Sequence, residues 1–285
     1  MSYIIHGATG AQGAPLQALL LASNRSAFAA VRDPANAQGK PYVTVDNDSV
    51  ESLIAAYSNA DGVFVHLPQT SEPGRLQQAN NIADAIAAAR PKRVVISTSG
   101  AIVDQPASPL QAPGDSAIAT LLRRVGDSGV SHAVIAPRFY LENLLLPMVM
   151  GPVQSKGVLP YPLRADFSAS WSSHLDVAVL AERLLTDHDA TGIVGIGQLP
   201  GMTGPELAQA FSEHFGREIR FEALSPETFG TLLEPLIGPA AANIAGFYTA
   251  LAHAPDNVIA SDSSAQNQLG LAPRSVGQWL TDMGM

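Results

Sequence analysis

The sequence predicts an α/β fold of the Rossmann type: a doubly wound parallel sheet with helices on both faces and a smaller C-terminal α+β part. Three observations predict it. Short apolar runs alternate with helically spaced stretches through the first half of the chain. A glycine-rich turn follows the first run directly. After about Leu144 the pattern changes, and Pro147, Gly151, Pro152, Gly157, Pro160 and Pro162 cluster. Strand–helix alternation at this pace gives right-handed crossovers and a parallel sheet.

The elements follow in order. The predicted strands are Tyr3–His6, Phe28–Arg32, Tyr42–Asp46, Val63–His66, Val94–Thr98 and Ala133–Ala136, each bounded by Gly, Pro, Asp or Asn or by a polar turn. Between them, Pro15–Ser23 is rich in Leu and Ala, and Ser49–Tyr57 opens on a serine cap followed by Glu51. Leu76–Ala89 ends before Arg90-Pro91, and Ser116–Val125 before Asp127-Ser128-Gly129. Further on, His174–Thr186 and Gly204–Phe215 read as helices, with Thr203 capping the second, and Ile193–Gly197 and Arg220–Ala223 as strands. Ser225-Pro226-Glu227 opens a helix with serine at the cap and proline in the first turn. The division expected along the chain is a nucleotide-binding domain over 1–150 and a smaller substrate-binding region over 151–285 that belongs to the same overall unit.

Composition excludes several classes. With 46% hydrophobic and 14% charged residues the chain is not disordered. No apolar run is long enough for a membrane span. The start, Met1-Ser2-Tyr3-Ile4-Ile5, reads as a strand and not as a signal peptide, so a cytoplasmic location is expected. A net charge of −9 argues against direct nucleic-acid binding. The absence of cysteine removes disulfides, thiolate nucleophiles and iron–sulfur clusters. The seven histidines form no helical i, i+4 pair and no metal-ligand cluster, so no metal is expected.

The strongest local signal is Gly7-Ala8-Thr9-Gly10-Ala11-Gln12-Gly13, placed between the first strand and the first helix. A dinucleotide pyrophosphate needs glycines for close backbone approach and a helix N-terminus with its positive dipole end. The residue at the end of the second strand selects the cofactor, an acid for the 2′-hydroxyl of NAD and a base for the 2′-phosphate of NADP. Arg32 stands there, nineteen positions after Gly13. Its fork of donors suits phosphate, which favours NADP(H) and leaves NAD(H) open. The next residue, Asp33, either partners the arginine or faces a ribose; a solvated surface arginine is the competing reading.

Two catalytic devices are missing. None of the six tyrosines has a lysine four residues later, so the tyrosine–lysine proton donor of short-chain reductases is absent. There is no Gly-x-Ser-x-Gly elbow, which counts against a serine hydrolase. Ligand residues are expected at the C-terminal ends of the strands: His66-Leu67-Pro68, Ser97-Thr98-Ser99 and Phe139-Tyr140. Tyr140 is the best-placed proton donor, although packing accounts for it better. His174 either points into the cleft or, the preferred reading, is a capping or surface residue. Phe139, Tyr161, Phe167, Trp171, Phe247 and Tyr248 either build an aromatic acceptor pocket or serve only as core.

Taken together these motifs resemble the NmrA-like family of atypical short-chain dehydrogenases/reductases over nearly the whole chain. The resemblance rests on Gly7–Gly13, Val31-Arg32-Asp33-Pro34, Val45-Asp46-Asn47-Asp48, Pro137–Leu144, Asp176-Val177-Ala178 and Thr203–Ala208. That family includes NADPH-dependent quinone oxidoreductases, triphenylmethane dye reductases, isoflavone-type reductases and non-catalytic redox-sensing regulators. The resemblance implies that Gly7, Thr9, Gly10, Ala11, Gln12, Gly13 and Arg32 hold the phosphates and that Asp46 and Asn47 lie near adenine. It places Pro137, Phe139, Tyr140 and Asn143 beside the nicotinamide, while His66, Leu67, Pro68 and Thr98 are expected to border the cofactor as strand-end residues. Some members carry a lysine or histidine on the helix after strand five; Ser116–Leu122 has no titratable side chain. Ala136 and Arg138 stand where the family usually has arginine and glycine. The expectation is therefore an NADPH-dependent oxidoreductase passing hydride to an aromatic or quinone-like small molecule without a strong internal acid. The alternative is a cofactor-sensing regulator, and a homodimer is compatible with either.

Overall fold

The computed structural model describes residues 2–285; Met1 of the predicted N-terminal strand stretch lies outside them. Seven parallel strands form the central sheet. They are β1 (Ser2–His6), β2 (Ser26–Val31), β3 (Tyr42–Thr44), β4 (Gly62–His66), β5 (Val94–Ser97), β6 (His132–Pro137) and a last strand, Gly192–Ile196. Across the sheet the order is Gly192–Ile196, β6, β5, β4, β1, β2, β3. The chain thus winds outward from β1 to β3, then returns to β4 and winds the other way. The reversal lies between β1 and β4, where Ile5 pairs with Phe64.

The period-two alternation of strand side chains builds two apolar layers. Ile5, Phe64, Val95 and Ile135 face one side. There they meet helix α1 (Gly13–Ala22), through Leu16 and Leu20, and Val177, Leu180 and Leu184 of a later helix. Ile4, Val63, Val65, Val94 and Ile96 face the other side. Helices α2 (Val50–Tyr57), α3 (Glu72–Ala89) and α4 (Ala117–Asp127) cover that face with Leu53, Tyr57, Ile82, Ile86 and Leu121. Serine caps open all three helices, Ser49, Ser71 and Ser116 each accepting a backbone N–H three residues on.

Predicted and observed elements differ mainly at strand ends. β2 stops at Val31 and β3 at Thr44, so Arg32 and Asp46 lie just beyond the strands instead of closing them. No helix is predicted over the Pro/Gly cluster, yet Pro147–Lys156 is helix α5. Pro147 occupies its first turn, where a missing N–H costs nothing, and Gly157 ends it in the left-handed conformation. Helix α6 (His174–Thr186) and α7 (Gly204–Phe215) match the predicted ranges, with capping boxes from Ser173–Asp176 and Thr203–Glu206. They are followed by α8 (Pro226–Ile237), α9 (Ala240–Ala252), α10 (Ala265–Leu269) and α11 (Val276–Asp282).

The sheet crosses residue 150: α6 packs beside α1, and Gly192–Ile196 pairs with β6. The rest of the C-terminal part has its own core around Tyr161, Trp171, Phe211, Phe229 and Trp279. Three short parallel strand pairs serve it: Phe139–Tyr140 with Trp171–Ser172, Val158–Tyr161 with Arg220–Ala223, and Ser168–Ala169 with Asp256–Asn257.

Arg93 stitches the two segments together beneath the sheet. Fully buried just before β5, it donates from Nε to the Leu184 carbonyl at 2.8 Å and from Nη1 to Ser131 Oγ at 2.9 Å. Its Nη2 reaches the Asp187 and Ala190 carbonyls. Arg93→Met keeps the stem but leaves these acceptors without their donor. It should lower unfolding stability by ~2–4 kcal/mol, the scale of buried acceptors left unpaired. Urea denaturation of both proteins measures the difference.

Candidate functional site

The glycine turn is shaped by two different demands. Gly7 sits at φ +65°, in the left-handed region. Gly13 is needed for space, because a Cβ there would lie 2.5 Å from the Gly7 carbonyl carbon and oxygen. Gly10 differs from both: it is exposed, its N–H donates to the Gly7 carbonyl at 2.9 Å, and an added Cβ would meet only that oxygen, at 3.4 Å. No side chain caps the N-terminus of α1 and no acid stands in its first turn. Thr9 and Ala11 are exposed beside it. A tight turn leading to an uncapped helix N-terminus fits a pyrophosphate, since the dipole end favours an anion.

Arg32 lies past β2 with 72% of its side chain exposed, and its nearest acid is Asp48, at 3.9 Å. Asp33 is occupied elsewhere. Its Oδ1 accepts the Ala35 N–H at 2.9 Å and caps a short 3₁₀ turn, Pro34–Ala37. Asp33 therefore does not pair with the arginine, whose contact with Asp48 is long and solvent-exposed. Asp46 organises the turn after β3, its Oδ1 accepting from the Asp48 N–H and its own N–H donating to Ser52 Oγ. The Asn47 carbonyl accepts from Asn81 Nδ2, whereas its buried Oδ1 has no partner.

At the reversal point the ends of β1, β4, β5 and β6 come together. Gln12, buried at 5% exposure, spans the gap between the glycine turn and β5. Its Oε1 accepts from Ser97 Oγ at 2.6 Å, while its Nε2 donates to Tyr140 Oη at 3.1 Å and Ser99 Oγ at 3.3 Å. Ser99 adopts φ +55°, unusual for a residue with a side chain. Thr98 is buried and its Oγ1 has no partner. His66 ends β4 beside Gly7. Leu67 turns into the layer covered by α2, α3 and α4, and Pro68 is half-buried. Pro137 closes β6 and is buried.

His174, read from the sequence as a capping or surface residue, is partly buried instead. Its ring lies 4.3 Å from that of Tyr140, and its Nδ1 is 3.4 Å from Glu142 Oε2. Glu142 Oε1 also accepts from Ser173 Oγ and the His174 N–H. These contacts link α6 to the segment after β6, which the residue order alone does not show.

Electrostatically the site holds no acid ready to act near neutrality. Burial, reinforced by Glu142 and opposed by hydrogen bonding with Ser97, raises the Tyr140 phenol above its ordinary value. Burial pushes His66 down to about 4, with the charges of His174 and Arg75 adding to it. Burial and then His66 push His6 down to about 4; its Nε2 meets Tyr57 Oη at 2.7 Å. His174 is lowered by burial, against the pull of Glu142. Among the described residues no group of His, Asp and Glu is arranged to hold a metal ion.

Beside this network opens a cavity of about 620 Å³. Thr98, Ser99, Phe139, Tyr140 and Asn143 form its floor at the sheet ends, and α8 and α9 roof it with Phe229, Leu233, Ile244 and Phe247. Of the six aromatics considered from the sequence, Phe139, Tyr161, Phe247 and Tyr248 line it. Trp171 instead stacks behind Phe139 at 4.9 Å, and Phe167 lies in the core without facing the cavity. Phe229, Arg75 and Gln69 are lining residues that the sequence reading missed. A serine cap and proline mark the start of α8, but nothing local tells which of its faces roofs a cavity. Arg138, at the family's glycine position, is buried and pairs with both oxygens of Asp104 at 2.7 and 2.9 Å.

Strand order and glycine turn define the class: a Rossmann-type α/β protein with its glycine turn at the topological reversal and its cavity beside it, at the β5 and β6 ends. The NmrA-like family profile matches residues 3–279, and the chain belongs to that family. Among solved structures, triphenylmethane reductase from Citrobacter sp. is similar over the full length of both chains, with a TM-score of 0.81 at 19% identity. Its complex with NADP(H) superposes with a TM-score of 0.78 at 19% identity, over 98% of this chain and 99% of that one. The NADPH complex of an NADPH-dependent quinone oxidoreductase from Escherichia coli gives 0.75 at 18% identity, over 99% and 100%. A nucleoside-diphosphate-sugar epimerase from Staphylococcus aureus gives 0.76 at 21% identity, over 98% and 99%. These likenesses establish a common fold. The curated proteins contain no match to the sequence.

Gly13 and Gly10 should behave oppositely on substitution. Gly13→Ala forces a methyl into backbone and should cost ~1–3 kcal/mol in urea denaturation, the scale of overpacking. Gly10→Ala should leave the unfolding free energy within ~0.5 kcal/mol of the parent, as at an unobstructed surface position.

Proposed function

We propose that this protein is an NADPH-dependent oxidoreductase that passes hydride to a planar conjugated acceptor such as a quinone or dye. The observation that carries the reading is the aromatic cavity at the β5 and β6 ends, next to the glycine turn and without a strong proton donor. The Citrobacter and Escherichia coli neighbours, a dye reductase and a quinone reductase of the same architecture, support it.

In this reading the Gly7–Gly13 turn, with Thr9, Gly10, Ala11 and Gln12, holds the pyrophosphate. Arg32 pairs the 2′-phosphate, and Asp46 and Asn47 border the adenine. His66, Leu67, Pro68, Thr98, Pro137, Phe139, Tyr140 and Asn143 surround the nicotinamide end. When bound, the reduced nicotinamide supplies a hydride. The chain's own residues supply position and a dry, aromatic wall. Gln12 fixes Tyr140 and Ser97 against the glycine turn, so one side chain sets the distance between the cofactor loop and the acceptor cavity. Tyr140 keeps its proton and acts as packing and as a hydrogen-bond acceptor. An acceptor that tolerates hydride without simultaneous protonation suits this site, and an unactivated ketone does not.

Cofactor choice is checked by calorimetry. Arg32→Ala should weaken NADPH by ~1.5–3 kcal/mol, the range for a charged hydrogen bond, and leave NADH nearly unchanged. Equal losses for both would make Arg32 structural. Gly10→Val should remove NADPH binding from a protein that still folds.

Turnover is checked by NADPH oxidation with quinones, triarylmethane dyes and simple ketones. At least one quinone or dye should react and the ketones should not. Tyr140→Phe should keep most of the rate; a loss of ~10²-fold or more would make Tyr140 a general acid. Tight NADPH binding with no reaction on any acceptor would instead assign the protein to the regulatory members of the family.

A further inference from the structure

The acceptor cavity is lined by two arginines and by no aspartate or glutamate. The two cations differ. Arg138 is spent, its side chain fully buried and held by both oxygens of Asp104. Arg75, in the first turn of α3, is not. One of its terminal nitrogens donates to Glu72 Oε2 at 3.0 Å, but that carboxylate is half exposed. The other Glu72 oxygen accepts the Ala117 N–H at 2.7 Å, so the acid is shared with the start of α4. An exposed pair of this kind neutralises little. Meanwhile Arg75 Nε is buried and has no partner. The guanidinium of this cavity-lining residue thus has a donor to spare for a ligand oxygen. The charge is felt inside the site, where it helps to hold His66 neutral. Around it, Phe139, Tyr161, Phe229 and Phe247 offer flat apolar surface in a volume of small-molecule size.

We propose that Arg75 is the specificity-determining residue of this cavity and selects aromatic compounds bearing an anionic oxygen, an enolate or a ring carboxylate, over cationic ones. The rings bury the apolar body of the ligand while the guanidinium fork takes its oxygen, an interaction strengthened where water is excluded. The inference rests on the oxidoreductase reading for treating the ligand as an acceptor. Within that reading it narrows the choice to quinone-type acceptors and away from cationic dyes.

The test is calorimetric binding to the whole protein at neutral pH, without turnover. Three probes are used: a hydroxynaphthoquinone that is anionic at that pH, unsubstituted naphthoquinone, and a cationic triarylmethane dye. With no cysteine in the chain, thiol addition to the quinones does not interfere. The parent protein should bind the anion about tenfold or more tightly than the neutral quinone, and the dye least, on the scale of a charged hydrogen bond. Arg75→Gln should abolish that preference by weakening the anion alone, Arg75→Lys should keep part of it, and Glu72→Gln, which releases the arginine, should strengthen anion binding. NADPH affinity should not change in Arg75→Gln. Equal weakening of anion and neutral quinone, tighter binding of the dye than of the anion by the parent, or loss of NADPH affinity in Arg75→Gln would each overturn the proposal; the last would make Arg75 a cofactor ligand. The oxidoreductase reading fails separately, by absence of NADPH oxidation on every acceptor.

Discussion

The contact of Gly13 with the Gly7–Ala8 backbone is the constraint on which the site depends. Any side chain at Gly13 would collide with backbone atoms at 2.5–2.7 Å. Its absence lets α1 begin directly against the end of β1. That fixes where Gln12 points, and Gln12 in turn ties the glycine turn to Ser97 on β5 and to Tyr140 after β6. Three strand ends that are distant in sequence are thus held by one amide. A polar side chain this deeply buried is stabilising only if its groups are satisfied, and both ends of the Gln12 amide are bonded.

The same enclosure governs the chemistry available. Burial disfavours charge, so His6 and His66 are held neutral and the Tyr140 phenol is held protonated. A site of this kind is poorly equipped to donate a proton on demand. Charge is concentrated instead in arginines: Arg32 outside the sheet edge, Arg138 neutralised internally by Asp104, and Arg75 at the cavity wall. Stationary positive charge and aromatic surface favour reactions in which negative charge develops on the ligand and is delocalised there.

The sheet was legible from the sequence because its signals are local. β1, the glycine turn and α1 follow one another within about twenty residues, and Ser49, Thr203 and Ser225 announce their helices by hydrogen-bonding their own neighbours. Strand ends were less legible. Arg32 and Asp46 continue the apolar-to-polar pattern of a strand, but pairing to the neighbouring strand stops before them, and pairing is not a local property. Helix α5 was hidden by its prolines, although Pro147 sits where proline is tolerated. The role of Asp33 was undecidable in sequence because both the arginine and a ribose were open to it; the 3₁₀ turn at Pro34–Ala37 takes its carboxylate instead. The cavity was the least legible. Asp104 and Arg138 lie 34 positions apart, and Glu142 meets His174 across 32. No spacing rule connects such pairs.

The division of labour follows from that difference in legibility. Elements that meet the constant part of a ligand, a pyrophosphate or a ribose, are backbone turns and helix ends encoded by short motifs, and they can be shared by chains about one-fifth identical. The cavity roof is built otherwise. Of the six large apolar side chains exposed among the described residues, five, Leu232, Leu236, Ile237, Ile244 and Phe247, lie on α8 and α9, the sixth being Tyr42 on β3. Ile237, Ile244 and Phe247 also line the cavity, so they stand between solvent and its interior. Such a surface contributes little to the core of the fold and can vary without disturbing the sheet. Under the proposed reading, acceptor preference would be set by the α8–α9 roof and by Arg75, which line the same cavity. Two proteins that superpose on this chain end to end can differ in substrate while keeping every strand in place, which is why shared fold alone does not name the acceptor.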